Sequence, residues 1–253
     1  MNIGVITGAS SGIGREFVLR LAEKHDFDEI WLIARRGDKL KELADELQTR
    51  VRVFSLDLCK QESIDEYAAA LKESGARVSV LVNASGFGRF GAFGDISLSD
   101  MMEMTDLNSK ALVAMTYVTL PYMDRGAQIY QMGSLSSFQP VPYIGVYGAS
   151  KAFVLSFSRA LNRELKGRGI KCMAVSPGWV RTDFFDRAAT DNTIVYYNRF
   201  YTPQQVVRRA LHDMEKGKDV SVCGLQIRAQ VLLVKLLPHK IVMNIWCHQQ
   251  KKA

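Results

Sequence analysis

Cysteine is scarce in this 253-residue chain: there are four, Cys59, Cys172, Cys223 and Cys247. None stands at C-x-x-C, C-x-x-H or another ligand spacing, so no metal site and no disulfide framework is expected, and the thiols read as reduced core filler. No stretch approaches the ~18 apolar residues of a membrane-spanning helix. Met1 is followed at once by Asn2-Ile3-Gly4-Val5-Ile6, without a basic leader or a long apolar run. No secretory signal is therefore expected, and a soluble, cytoplasmic protein is. There is no Pro-, Gly- or Ser-rich linker and no repeat of fixed period, which makes one domain over 1–253 the economical organisation. Acid is missing from the end of the chain. All 26 Asp and Glu lie at or before Asp219, whereas Val220 to Ala253 carries Arg228, Lys235, Lys240, Lys251 and Lys252. Five of the seven net positive charges therefore sit in that tail and the body is nearly neutral at +2. A body without a basic stripe interleaved with aromatics is not the footprint of a nucleic-acid binder.

What is present is a chain 47% hydrophobic and 23% charged, long enough to bury roughly 75% of its unfolded surface. Short β-rich runs at 2–6, 29–34, 51–55, 78–82, 127–132, 170–176 and 219–223 alternate with segments of helical period at 12–24, 37–48, 61–74, 98–123, 147–167 and 203–216. This alternation predicts an α/β, Rossmann-like, doubly wound parallel sheet of about seven strands with helices on both faces.

The first strand runs into Thr7-Gly8-Ala9-Ser10-Ser11-Gly12-Ile13-Gly14 and then a helix. Glycine matters at such a turn because the bend is tight, the backbone must approach a pyrophosphate, and the helix N-terminus offers free N–H groups to its charge. In dinucleotide folds an acid about 20 residues on binds the ribose 2′-hydroxyl. Here that count reaches Ala34, with Arg35 and Arg36 behind it. No acid repels a 2′-phosphate and a guanidinium at Arg35 can pair with one, so NADP(H) is expected in preference to NAD(H). Arg36 reads more readily as solvating the start of the next helix.

Of nine tyrosines only Tyr147 has a lysine four residues on, at Lys151. In a helix the two share a face, so the ammonium is expected to favour phenolate and lower the tyrosine pKa. A tyrosine tuned in this way can exchange the proton of a carbonyl/alcohol pair while hydride moves to or from a nicotinamide.

With these motifs the chain resembles the short-chain dehydrogenase/reductases of the single-domain, NADP-preferring subgroup, over about residues 2 to 182. Besides TGASSGIG and Tyr147-Gly-Ala-Ser-Lys151, the likeness extends to Ser134, Asn108 in DLNSKAL, Asp57 after the third strand, and Pro177-Gly178-Trp179-Val180-Arg181-Thr182. The resemblance implies Tyr147 as general acid/base and Ser134 as the donor to the substrate oxygen. It implies Lys151 on the nicotinamide ribose, lowering the tyrosine pKa, and Asn108 as anchor of a water that passes protons to Lys151. Ser136 and Ser137 stand beside Ser134, and the spacing to Tyr147 favours Ser134. On the cofactor side it implies Gly8, Ser10, Ser11, Gly12, Ile13 and Gly14; Arg35; Asp57 as adenine contact with Leu58; Asn83, Ala84, Ser85 and Gly86; Tyr147 and Lys151; and Pro177, Gly178, Val180 and Thr182, the last two at the carboxamide. The family's N-N-A-G stands here as Asn83-Ala84-Ser85-Gly86. Loss of the second amide puts one stabilising hydrogen bond in question more than the chemistry.

Trp179, Phe184, Phe185, Tyr196, Tyr197, Phe200 and Tyr201 place seven of the 24 aromatics within 23 residues. In the family this region forms a lid, expected here over about 183–216. Such a lid, with Phe87, Phe90 and Phe93, favours a bulky apolar carbonyl or alcohol; packing or dimer contact is the plainer reading of each ring taken singly. The tail from about 225 to 250 reads as two helices divided at Pro238. Packing on its own domain, contact in a homodimer or homotetramer, and attachment to an anionic membrane surface are its three readings. A second class of function, a nucleotide sensor or scaffold without catalysis, fits the glycine turn but leaves the proton-relay residues without a purpose.

Overall fold

The computed structural model describes residues 1–189, 191 and 193–252. β1 (Asn2–Thr7), β2 (Glu29–Ala34), β3 (Val51–Ser55), β4 (Arg77–Asn83), β5 (Gln128–Met132), β6 (Lys171–Val175) and β9 (Val220–Ser221) form a seven-stranded sheet in the order β3-β2-β1-β4-β5-β6-β9. Every pairing is parallel. The strand order reverses between β1 and β4, and in such sheets the ligand crevice lies there, beyond the strands' carboxyl ends.

Helices cover both faces, which is why β1 and β2 are apolar almost without interruption. Alternate residues divide between two cores. Ile6, Leu32, Val80 and Val82 pack with α1 (Gly12–Lys24) and α8 (Pro203–Glu215), through Phe17, Val18, Leu21, Val207 and Met214. Val5, Trp31, Ile33 and Leu81 pack on the other face with α3 (Gln61–Ser74), α5 (Leu112–Thr119) and α6 (Gly145–Glu164), through Tyr67, Leu71, Met115 and Leu161. Burial of each such side chain contributes ~1.5–3 kcal/mol.

Three parts depart from the pattern read in the sequence. The helix expected over 98–123 is α4 (Leu98–Thr105), a π-helical segment (Asp106–Ala111), α5, and a 3-10 turn (Leu120–Tyr122). Pro121 lacks the N–H that would continue the helix. The π segment coincides with Asn108, whose amide is drawn to the backbone of Phe87. Secondly, β7 (Trp179–Val180) and β8 (Phe200–Tyr201) form a small parallel pair of their own. Finally, the second half of the span read as a lid, 183–216, belongs to the core. Pro203 and a reciprocal Thr202–Gln205 capping box start α8, which buries Val206, Val207, Ala210, Leu211 and Met214. What covers the cleft is α7 (Phe184–Ala188) and the stretch leading to β8; positions 190 and 192 lie outside the described residues.

The tail forms α9 (Leu225–Leu236) and α10 (His239–Gln249), divided at Pro238. It packs on its own domain through Ile227, Val231, Val234 and Val242.

Candidate active site

A cleft of about 490 Å³ opens over the carboxyl ends of β1, β4 and β5. One end is backbone. Gly8 and Gly12 take left-handed φ values of 65° and 56°. A Cβ on Gly8 would stand 2.7 Å from the Ala84 backbone, and one on Gly14 only 2.2 Å from the Gly8 carbonyl oxygen. No larger residue fits this turn. Ser11 caps α1 without a side-chain hydrogen bond, which leaves the first-turn N–H groups available to a ligand. Gly8, Ser10, Ser11, Gly12, Ile13, Gly14, Arg35, Asp57, Leu58, Ala84, Ser85, Gly86, Pro177, Gly178, Val180 and Thr182 all line the cleft. The backbone cradle, unpartnered helix N–H groups and flanking guanidinium groups fit a dinucleotide and its phosphates.

Asn83 does not line it. Successive strand residues point to opposite faces, and its amide donates away from the cleft, to Thr116 Oγ1 at 3.0 Å and Gln131 Oε1 at 2.9 Å. Its expected cofactor contact becomes support for the strand beneath. Where the family's second amide is missing, Thr7 Oγ1 receives the Ser85 N–H at 3.1 Å and ties β1 to the loop.

Both arginines after β2 line the cleft. Arg35 pairs with Glu103 at 3.2 Å. Arg36 reaches Ser11 Oγ at 2.6 Å and Ser10 Oγ at 3.1 Å, so the residue read as simple solvation is fastened to the glycine turn. Glu103 also holds Arg187 of α7 at 2.5 Å, and the Arg187 guanidinium stacks 3.4 Å from the Phe87 ring centroid. One carboxylate thus joins the two ends of the cleft.

At the centre stand Ser134, Tyr147 and Lys151. Ser134 starts a 3-10 turn (Leu135–Phe138). Its Oγ accepts from the Ser136 N–H at 3.2 Å, while its own N–H donates to Ser137 Oγ at 3.0 Å. Ser137 therefore holds Ser134 in place. The Leu135 N–H donates to the Pro177 oxygen at 2.7 Å and ties this turn to the loop after β6. Tyr147 and Lys151 share a face of α6, but the amine donates to the Met132 oxygen at 2.8 Å and lies 5.8 Å from the phenol ring centroid.

The expected lowering of the tyrosine pKa is not realised in this arrangement. Burial pushes the Tyr147 phenol up to about 12, opposed by the neighbouring Ser134 hydroxyl, and burial lowers the Lys151 ammonium to about 8. Asn108 is fully buried one layer behind the cleft. Its Oδ1 accepts the Phe87 N–H at 3.1 Å, and its Nδ2 donates to the Phe87 oxygen at 2.9 Å and to Ser150 Oγ at 3.1 Å. With both amide hydrogens committed, the side chain clamps the backbone at Phe87. A Cβ on Gly86 would meet Asn108 Oδ1 at 2.7 Å and Lys151 Nζ at 3.3 Å, which is why glycine stands between them.

The other end is aromatic. Tyr147 packs against Phe184 and Phe90, ring centroids 5.6 and 6.2 Å away. Trp179, Phe185 and Tyr197 extend the cluster. Phe93 is 75% exposed and stands outside the wall expected of it. Gln230, Trp246 and Gln249 of the tail, absent from the residues expected at the site, also line this end. Trp246 Nε1 donates to the Pro142 oxygen at 3.0 Å. Gln250, 1% exposed, accepts the N–H groups of Val195 and Tyr196 at 2.9 and 3.0 Å and donates to the Tyr196 oxygen at 3.1 Å. The helical spacing Val242, Trp246, Gln250 was the available signal for an inward face.

A family model described as short chain dehydrogenase matches residues 2–193. Sulfoacetaldehyde reductase 2 of Chromohalobacter salexigens is 38% identical over 205 residues, 75% of this chain and 79% of that protein. A short-chain dehydrogenase from Sphingobium yanoikuyae, solved with NADPH, superimposes with a TM-score of 0.80 at 28% identity, covering 93% of this chain and 92% of the other. The bulky-bulky ketone specific alcohol dehydrogenase from Comamonas testosteroni gives a TM-score of 0.73 at 25% identity, covering 94% and 95%.

Proposed function

Because the chain belongs to the short-chain dehydrogenase/reductase family, we propose that it is an NADP(H)-dependent oxidoreductase interconverting a carbonyl and a secondary alcohol on a hydrophobic small molecule. The observation that carries this reading is the meeting of Ser134, Tyr147 and Lys151 in one cleft with the glycine turn. A nicotinamide dinucleotide held by the glycine turn, Ala84 to Gly86 and Pro177 to Thr182 would supply hydride chemistry there. As the carbonyl oxygen gains negative charge, Ser134 donates a hydrogen bond to it and Tyr147 transfers its phenolic proton, leaving the alcohol. A phenol raised to about 12 holds that proton throughout the neutral range, which suits it to act as the acid when the carbonyl is reduced. Asn108 keeps Gly86 and Phe87 against Lys151 and acts through position.

Arg35 and Arg36 support the preference for NADP(H) over NAD(H): both line the cleft, and no acid occupies the position that would bind a free 2′-hydroxyl. The substrate class rests on Phe90, Trp179, Phe184, Phe185, Tyr196 and Trp246 around the inner end. The relative named for sulfoacetaldehyde suggests a short anionic aldehyde instead, with Arg187 as the receiving charge. Glu103 and Asp100 already neutralise that guanidinium, which favours the apolar reading. Assembly as a homodimer or homotetramer and a cytoplasmic location belong to the same proposal; Tyr117, 78% exposed, and Phe153, 46% exposed, give an apolar face for a second copy.

The test is Tyr147→Phe assayed for NADPH oxidation against aromatic and steroid ketones, keto-acyl esters and a sulfonated aldehyde. Turnover of wild type on the apolar ketones is expected to fall by about 10³-fold or more with NADPH affinity nearly intact. Turnover kept in the variant removes the assigned acid, and wild type confined to the sulfonate removes the substrate class.

A further inference from the structure

α9 is apolar on two opposite sides. Ile227, Val231 and Val234, at i, i+4 and i+7, face the domain and are buried. Leu225, Ala229, Leu232 and Leu236, at i, i+4, i+7 and i+11, face away. The three leucines of that outer stripe are 81%, 61% and 73% exposed, and Leu233 beside them is 56% exposed. On α10, Ile241 and Ile245 repeat the arrangement at i and i+4, 45% and 48% exposed. A helix with a second apolar stripe this exposed, opposite the one that packs on its domain, presents a contact surface.

Charge decides what covers it. No acid follows Asp219, and Arg228, Lys235, Lys240, Lys251 and Lys252 take part in no salt bridge among the described residues. Lys235 and Lys240 are exposed beside the leucine and isoleucine stripes. A second copy meeting this face through a two-fold axis would set one acid-free cationic surface on another. An anionic bilayer supplies the missing counter-charge, and no helix is long and apolar enough among the described residues to cross one.

We propose that α9 and α10 lie in the plane of an anionic lipid surface, with the outward leucines and isoleucines among the acyl chains and the lysines at the headgroups. The inward sides of the same two helices carry Gln230 and Trp246 into the cleft, and Gln249, one turn after Ile245, stands at its rim. Attachment would therefore set the substrate end of the cleft against the lipid, and the docking itself does not depend on which substrate is reduced.

Sedimentation of the full chain with vesicles tests it, comparing phosphatidylcholine alone with a phosphatidylcholine and phosphatidylglycerol mixture. Point variants replace truncation, because the tail also walls the cleft. Wild type is expected to pellet with the anionic vesicles, roughly tenfold or more above the neutral ones, and to be released by salt. A Leu232→Glu/Leu236→Glu variant should stay in the supernatant with unchanged turnover of a soluble ketone. Lys235→Glu/Lys240→Glu should lose the preference for anionic vesicles. Equal sedimentation of wild type and the leucine variant would overturn the proposal. So would a wild type that ignores vesicles and whose dimer, by light scattering, becomes monomer in the leucine variant; that outcome gives the face to a second copy.

Discussion

The two ends of the cleft are built from different materials. The nucleotide end is mostly backbone from one contiguous stretch, Gly8 to Gly14, pressed against the backbone at Ala84 and Ser85. The substrate end is mostly side chains, gathered from residues as far apart as Phe87 and Gln249. A site made of backbone is restricted by sterics to glycine at fixed places. A site made of side chains can be lined by many combinations of residues, provided that the volume is filled. The first is therefore stiff and uniform, and the second is where chains of this architecture differ in what they accept.

The contrast breaks most visibly at Gly14→Ala. The added methyl group would overlap the Gly8 oxygen, and overpacking of this kind costs about 2–3 kcal/mol. NADPH affinity, read by fluorescence titration, should fall roughly 30- to 150-fold while far-UV circular dichroism keeps its native shape. Unchanged affinity would mean that the turn can open, and the stiffness assigned to this end would be lost.

A second effect of similar kind but smaller size concerns the two arginines. Arg35→Asp/Arg36→Asp should shift the NADPH to NADH affinity ratio by roughly 10- to 100-fold, the scale of charge-assisted hydrogen bonds of about 1.5–3 kcal/mol. Equal affinities for the two cofactors in wild type would remove the preference from these residues.

The smallest change sharpens the comparison at its other side. Gln250→Ala leaves the Val195 and Tyr196 N–H groups and the Tyr196 oxygen without their partner. The wall should loosen, raising KM for a bulky ketone about threefold to tenfold, the scale of a net hydrogen-bond contribution of about 0.5–1.5 kcal/mol, with the NADPH dissociation constant unmoved. A dissociation constant that rises in step would show the two ends to be one mechanical unit, joined through Glu103.

The same difference in material explains what could be read from the sequence. Gly8, Gly12 and Gly14 announce the turn because only their residue type fits, and the alternation of β2 with its neighbours gives the parallel sheet. The Tyr147 and Lys151 spacing finds the centre. It misjudges the electrostatics, since a shared helix face does not say that the Lys151 amine turns to the Met132 oxygen. Asn83 misleads for a related reason: its place in a motif is visible, but the side to which its amide points depends on Thr116 and Gln131. Trp246 and Gln250 are harder still. Their i, i+4 spacing with Val242 marks an inward face but not what that face meets, and their partners, Pro142 and Tyr196, lie more than 50 positions away.

The Gln250 clamp also sets an order in time. The residues of the nucleotide end are complete at Thr182, and Gln250 is synthesised 68 positions later. At ~5–20 residues per second the interval is on the order of 3–14 s. Within that interval α8 emerges, and its Val207 and Met214 close the core behind α1. The stretch around Tyr196 waits longest, because its tether is among the last residues made.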